Sequence, residues 1–112
     1  MPQYLLTMYQ PDGVVPPPEV LGPVMEEIGR IRAELIDQGK WVFGNGLHDA
    51  STATVVRAEN GKVLTTDGPY TEGHEHIGGI TIVEAEDLDE ALAICARIAT
   101  CTGLPMEVRP FR

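Results

Sequence analysis

Gly79-Ile80-Thr81-Ile82-Val83-Glu84-Ala85-Glu86-Asp87-Leu88-Asp89-Glu90-Ala91-Leu92 carries the transition from which the architecture can be read. Ile80 and Ile82 alternate with Thr81 and Val83, a β-branched run that predicts a strand over Gly79–Ala85. Asp87 then changes the pattern. Its carboxylate suits the orphan N–H groups of a helix start, and Glu90, three residues on, can reach back as in a capping box. Leu88, Ala91, Leu92, Cys95, Ile98 and Ala99 follow at helical spacing and predict a buried stripe. Gly103 and Pro105 stop the helix, and Met106–Phe111 reads as a returning strand. This is one strand-helix-strand half.

The N-terminal half repeats the pattern. Gln3–Tyr9 is apolar on both faces, as a central strand is. Gln10–Pro18, with Asp12-Gly13 and three consecutive prolines, is a loop. Val20, Leu21, Val24, Met25, Ile28, Ile31, Leu35 and Ile36 then fall on one helical face. The helix is expected to be firm from Pro23, where a missing N–H costs nothing, with a less secure turn from Glu19. Gly39 is its expected C-terminal cap. Gly29 inside it costs about 1 kcal/mol against Ala, which close packing on a strand would explain. Trp41–Asn45 is the next strand, with Gly44 and Gly46 marking a bulge or a close backbone approach.

Between the halves, Leu47–Ser51 is a connection, and Thr52–Arg57 and Lys62–Thr66 are β-branched runs joined by Ala58–Gly61. Asn60-Gly61 suits a tight hairpin, since both residues accept positive φ. The whole order is β-α-β-(hairpin)-β-α-β. It predicts a single α+β domain over residues 1–112: a ferredoxin-like sandwich with an antiparallel sheet and an inserted hairpin.

The length suits one domain, which buries roughly 65% of its unfolded surface. The net charge of −9 argues against direct nucleic-acid binding, which needs a concentrated basic surface. No run has the length of a membrane helix, no basic amphipathic helix suggests a membrane surface, and the N-terminus lacks the pattern of a signal peptide. A cytoplasmic location is the default expectation. Cys95 and Cys101 are too few for a disulfide framework, and Cys95 falls on the apolar side of its helix as a buried thiol would. No glycine-rich phosphate cradle or standard metal motif is present, so neither a cofactor nor a metal is expected.

Gly44-Asn45-Gly46-Leu47, Thr52–Arg57, Thr66-Asp67-Gly68-Pro69-Tyr70, Gly78-Gly79, Asp87–Ala91 and Val108-Arg109-Pro110, in this order, resemble the YCII-related domain family, specifically its DGPF branch. Tyr70 stands where the DGPF motif has Phe, and His74 and His76 look particular to this chain. The resemblance implies a dimeric α/β barrel, in which two such sheets pack face to face. Apolar residues on both faces of the first strand and of the Ile80 strand agree with a homodimer. The family's function is largely uncharacterised. Its resemblance brings a proposed His–Asp activity in some relatives and an association with sigma factors of transcription.

Chemistry-bearing residues concentrate in Thr65–Gly79 and around His48-Asp49. Asp67-Gly68-Pro69-Tyr70 reads as turn chemistry or as a site. In the second reading Asp67 orients a histidine and Tyr70 lines a pocket. Glu72, His74 and His76 would share one face of an extended segment, suited to proton transfer, ligand contact or a metal, or simply solvated. His48-Asp49 is an acid–base pair or a polar loop. The leading expectation is a homodimer that binds an unknown small molecule beside the Asp67–His76 loop. His48, Asp67 and His74 are its candidate acid–base residues. Tyr70, Arg57, Glu72 and His76 are its candidate ligand contacts. The alternative is a non-catalytic regulatory or interaction module linked to transcription.

Overall fold

The computed structural model describes every residue from Met1 to Arg112. The elements run β1 (Gln3–Pro11), α1 (Pro18–Asp37), β2 (Trp41–Gly46), a short helical turn (Ala50–Thr52), β3 (Thr54–Glu59), β4 (Lys62–Asp67), β5 (Glu75–Glu84), α2 (Leu88–Thr102) and β6 (Met106–Pro110). β2-β5-β1-β6 form one antiparallel sheet, consistent with the ferredoxin-like expectation, and β3-β4 form a separate two-stranded sheet. β1 is central, as its two apolar faces predict. β5 shares the centre with it, which leaves β2 at the edge.

α1 begins at Pro18 instead of Pro23. Pro17 is extended, with φ −65 and ψ 157, and Pro18 takes the first helical position, where the lost N–H has no partner in any case. Pro23 therefore lies inside the helix and removes one bond to the Glu19 carbonyl. The C-terminus closes as predicted: Gly39, at φ +71, donates to Ile36, and Lys40 donates to Leu35, a Schellman pair. Gly29 does not pack on a strand; a Cβ there would meet nothing within 4 Å.

At α2, Asp87 caps Glu90 N–H at 2.9 Å as expected, while the Glu90 carboxylate reaches the Glu86 N–H at 3.2 Å and not that of Asp87. Its buried residues are Ala91, Ile94, Cys95 and Ile98; Leu88 and Leu92 are exposed, so the stripe is rotated toward Ile94. Asn60 (φ 51) and Gly61 (φ 75) make the predicted two-residue hairpin turn.

Both helices pack on the sheet face that carries Tyr4, Leu6 and Val83, where ten apolar side chains form the core. From α1 only Ile31 and Leu35 are fully buried, both in its C-terminal half. Beneath the N-terminal half the sheet is bare. Register places Gly44 opposite Thr81 and Gly46 opposite Gly79, so three glycines meet in one corner of the helix-facing surface. The opposite face has no helix. Leu5 pairs with Ile82 there, Thr7 with Ile80, and Phe43 with Ile82, with Phe43 52% exposed.

The β3–β4 hairpin stands away as an arm, with Val56, Val63 and Leu64 in solvent. The radius of gyration is 16.1 Å; a compact domain of this length has about 13 Å. The accessible surface is 7787 Å² for 12.2 kDa, about 1,700 Å² above the roughly 6,100 Å² of a folded monomer of that mass.

Candidate functional site

Two features stand out: a buried polar clasp at the root of the arm, and an apolar cavity under α1.

The clasp forms because β1 and β5 both run past their predicted ends. β1 continues to Pro11 and β5 starts at Glu75, pairing Gln10 with His76. A shift in register between Met8 and Tyr9 and the absence of a side chain at Gly78 allow it; a Cβ on Gly78 would lie 2.2 Å from Gln10 Cδ. His76 is thereby drawn into the strand and buried, instead of sharing a solvated face with Glu72 and His74. Its Nδ1 lies 2.7 and 2.9 Å from the two Asp12 carboxylate oxygens, and its Nε2 lies 2.8 Å from the Thr71 carbonyl.

Both partners of the ring are acceptors, so both nitrogens must donate, which only the imidazolium can do. The Thr71 carbonyl, then Asp12, hold the His76 pKa above its ordinary 6.5. Asp49 completes the assembly. Its carboxylate accepts from Gly13 N–H at 3.0 Å and Ser51 N–H at 3.1 Å, and the Ser51 side chain first, then these Gly13 and Ser51 N–H groups, hold its pKa below the ordinary 3.8. Asp12 N–H donates to the His74 carbonyl, and Gly68 N–H to Ala53 at the base of the arm. The 12–13 turn, the Asp49 turn and the 68–76 loop are thus pinned together.

The cavity lies between α1 and the glycine corner, with a volume of ≈ 230 Å³. Met25, Ile28 and Arg32 of α1 roof it, and Leu6, Met8 and Trp41 are among its walls. It exists because Gly44, Gly46 and Gly79 supply no side chains to meet the helix above. Gly44 also seats the Trp41 ring: a Cβ there would lie 2.5 Å from its Cη2. Arg32 stacks over that ring, its Cζ 5.4 Å from the centroid. Arg32 is the one ionisable residue among those lining the cavity.

None of the seven candidate site residues lines this cavity. His48, Asp67 and His74 are exposed and make no side-chain hydrogen bond to each other or to Asp49; His48 does not join its neighbour's network. Asp67 ends β4, and Glu72 is in solvent. Arg57 stacks over Tyr70, 5.1 Å from the ring centroid, with Tyr70 72% exposed. Only His76 of the seven enters a buried polar contact. Its partner Asp12 reads in sequence as one half of an Asp-Gly turn, and nothing local in the chain links two residues 64 positions apart. Gly44 and Gly46 read in sequence as positions of close approach, though not as lying beneath α1. Cys95 and Cys101 are free thiols, and burial raises the pKa of both.

Among known proteins, the YCII-related domain family matches residues 1–112. An uncharacterised protein of Rhizobium meliloti (strain 1021) is 28% identical over 91 residues, covering 79% of this chain and 73% of its own length. Two solved amidases of the hydantoinase/carbamoylase family align weakly. That of Burkholderia multivorans has 15% identity and a TM-score of 0.33, and this chain covers 27% of its length. That of Burkholderia ambifaria has 15% identity, a TM-score of 0.29 and 26% coverage. Similarity that low transfers neither fold nor chemistry.

Proposed function

The chain belongs to the YCII-related domain family, and we propose on that premise that it is a small-molecule-binding protein whose ligand occupies the cavity between α1 and the sheet. The observation that carries this reading is the bare glycine corner beneath a helix that keeps Met25 and Ile28 above it. A concave, mostly apolar site with one or two convergent polar groups is what small ligands use. The volume is below the roughly 300–1,000 Å³ of drug-sized pockets. It exceeds the ~150 Å³ that holds benzene, so a single ring with a short chain fits.

Acid–base catalysis by His48, Asp67 and His74 has less behind it, since the three are exposed and no hydrogen bond joins them. His76 spends both N–H groups on Asp12 and Thr71, which leaves no nitrogen free to exchange a proton with a substrate. The clasp is better read as the anchor of the arm and of the 68–76 loop.

A homodimer is part of the same proposal. The uncovered face with Phe43 and Ile82, the projecting arm, and about 1,700 Å² of surplus surface all favour it, since a standard interface takes about 800 Å² from each partner. A two-stranded hairpin is marginal by itself, and a second copy gives it something to lie on. A test of the binding site is heteronuclear NMR with a library of small aromatic and aliphatic probes. Shifts should cluster on Met25, Ile28 and Gly44–Gly46; probes that move only the 68–76 loop would sink this reading.

A further inference from the structure

The cavity's one charged group points to the class of ligand. Arg32 stands on α1, whose Glu27 and Glu34 pair with other arginines and whose Glu26 and Asp37 form no ion pair with it. Glu27 pairs with Arg30 at 2.6 Å, Glu34 with Arg97 at 2.7 Å, and Glu90 with Lys40 at 2.9 Å. Arg32 has no carboxylate partner in a chain that carries 17 acidic residues against 8 basic ones. The guanidinium lies over the Trp41 ring and lines the apolar chamber, its forked N–H donors without a protein partner. The planar fork is pre-organised for an anion, so less entropy is lost per hydrogen bond formed.

We propose, resting on the cavity reading above, that the ligand is a small monocarboxylic acid with an apolar body. The body fills the space over Gly44, Gly46 and Gly79, and the carboxylate takes a paired hydrogen bond from Arg32. A planar carboxylate matches the guanidinium fork. A multiply charged anion does not fit: the cavity brings no second cation, and the chain's charge of −9 repels it. A neutral apolar molecule would leave the fork unused.

The experiment compares 4-phenylbutyrate with its neutral isostere 4-phenylbutyramide by calorimetry, on the parent protein and on Arg32→Gln. Arg32 is exposed, so the substitution leaves the core intact. The acid should bind the parent at least about tenfold more tightly than the amide, as a charge-assisted fork predicts. Arg32→Gln should erase that preference by weakening the acid far more than the amide. Equal binding of acid and amide to the parent refutes the carboxylate inference and leaves the cavity reading standing. Met25→Trp and Ile28→Trp, made separately, fill the chamber from two positions. If binding survives in whichever of them folds, or if neither probe binds the parent, the cavity reading falls and the carboxylate inference with it.

Discussion

Gly44→Ala is a one-methyl test of how the cavity is built. The new Cβ would lie 2.5 Å from Trp41 Cη2, 2.9 Å from Cζ2 and 3.3 Å from the Ile80 carbonyl. The carbonyl belongs to the central strand and does not yield, so the ring must move. Trp41 packs against the core and carries Arg32 on its outer face. Displacing it loses both contacts. Overpacking of this kind costs about 1–3 kcal/mol. For 112 residues each kcal/mol is worth about 4 °C, so Tm should fall by about 4–12 °C. Trp41 is the one tryptophan, so its emission reports the displacement directly and should move to longer wavelength. In a Trp41→Leu background, followed by circular dichroism, the methyl should cost much less, because the atoms it strikes are gone. An unchanged Tm and emission maximum in Gly44→Ala, or an equal cost in both backgrounds, would refute the packing described.

Gly29→Ala places a methyl in open space inside α1 and should stabilise by up to about 1 kcal/mol, read as a rise in Tm; a fall would mean that another surface packs against this position. The His76 clasp makes stability depend on pH. Its folded pKa is raised, so its contribution is complete below the ordinary 6.5 and is lost as pH rises through the higher folded value. Urea midpoints should therefore drop on the alkaline side of pH 6.5 in the parent, and this drop should be smaller in Asp12→Asn, which keeps only the Thr71 bond and is less stable at pH 6; parallel pH profiles for the two proteins would show that Asp12 carries none of the linkage. Sedimentation equilibrium should give twice the 12.2 kDa chain mass, and Phe43→Asp should shift it toward monomer; a monomeric parent removes the dimer proposal. Cys95 should resist thiol reagents until the protein unfolds, since it is buried and its thiolate is disfavoured; rapid labelling of the native protein at pH 7.5 would contradict that burial.

The local signals were the legible ones. Asp87 caps its helix, Gly39 closes the other, and Asn60-Gly61 turns the hairpin, because each depends on a backbone conformation that one or two residues dictate. Where elements end was less legible. Both central strands outrun their apolar pattern, since backbone pairing between Gln10 and His76 holds polar residues in the sheet. Pro18 displaced Pro23 as the helix start for a similar reason: two candidate positions obey the same rule, and the chain path decides between them. Most of the candidate site residues lie close together in sequence, but of the seven only His76 enters a buried polar contact.

From the sequence alone come the element order, the ferredoxin-like class, the family resemblance and the caps, all set by periodicity and by turn residues acting over a few positions. The tertiary structure decided what those elements enclose. It brought Asp12 to His76, stacked Arg32 on Trp41, and placed Gly44, Gly46 and Gly79 under one helix to leave a chamber. Each of these joins residues from different elements, and strand register and helix docking bring them within a few ångströms of one another.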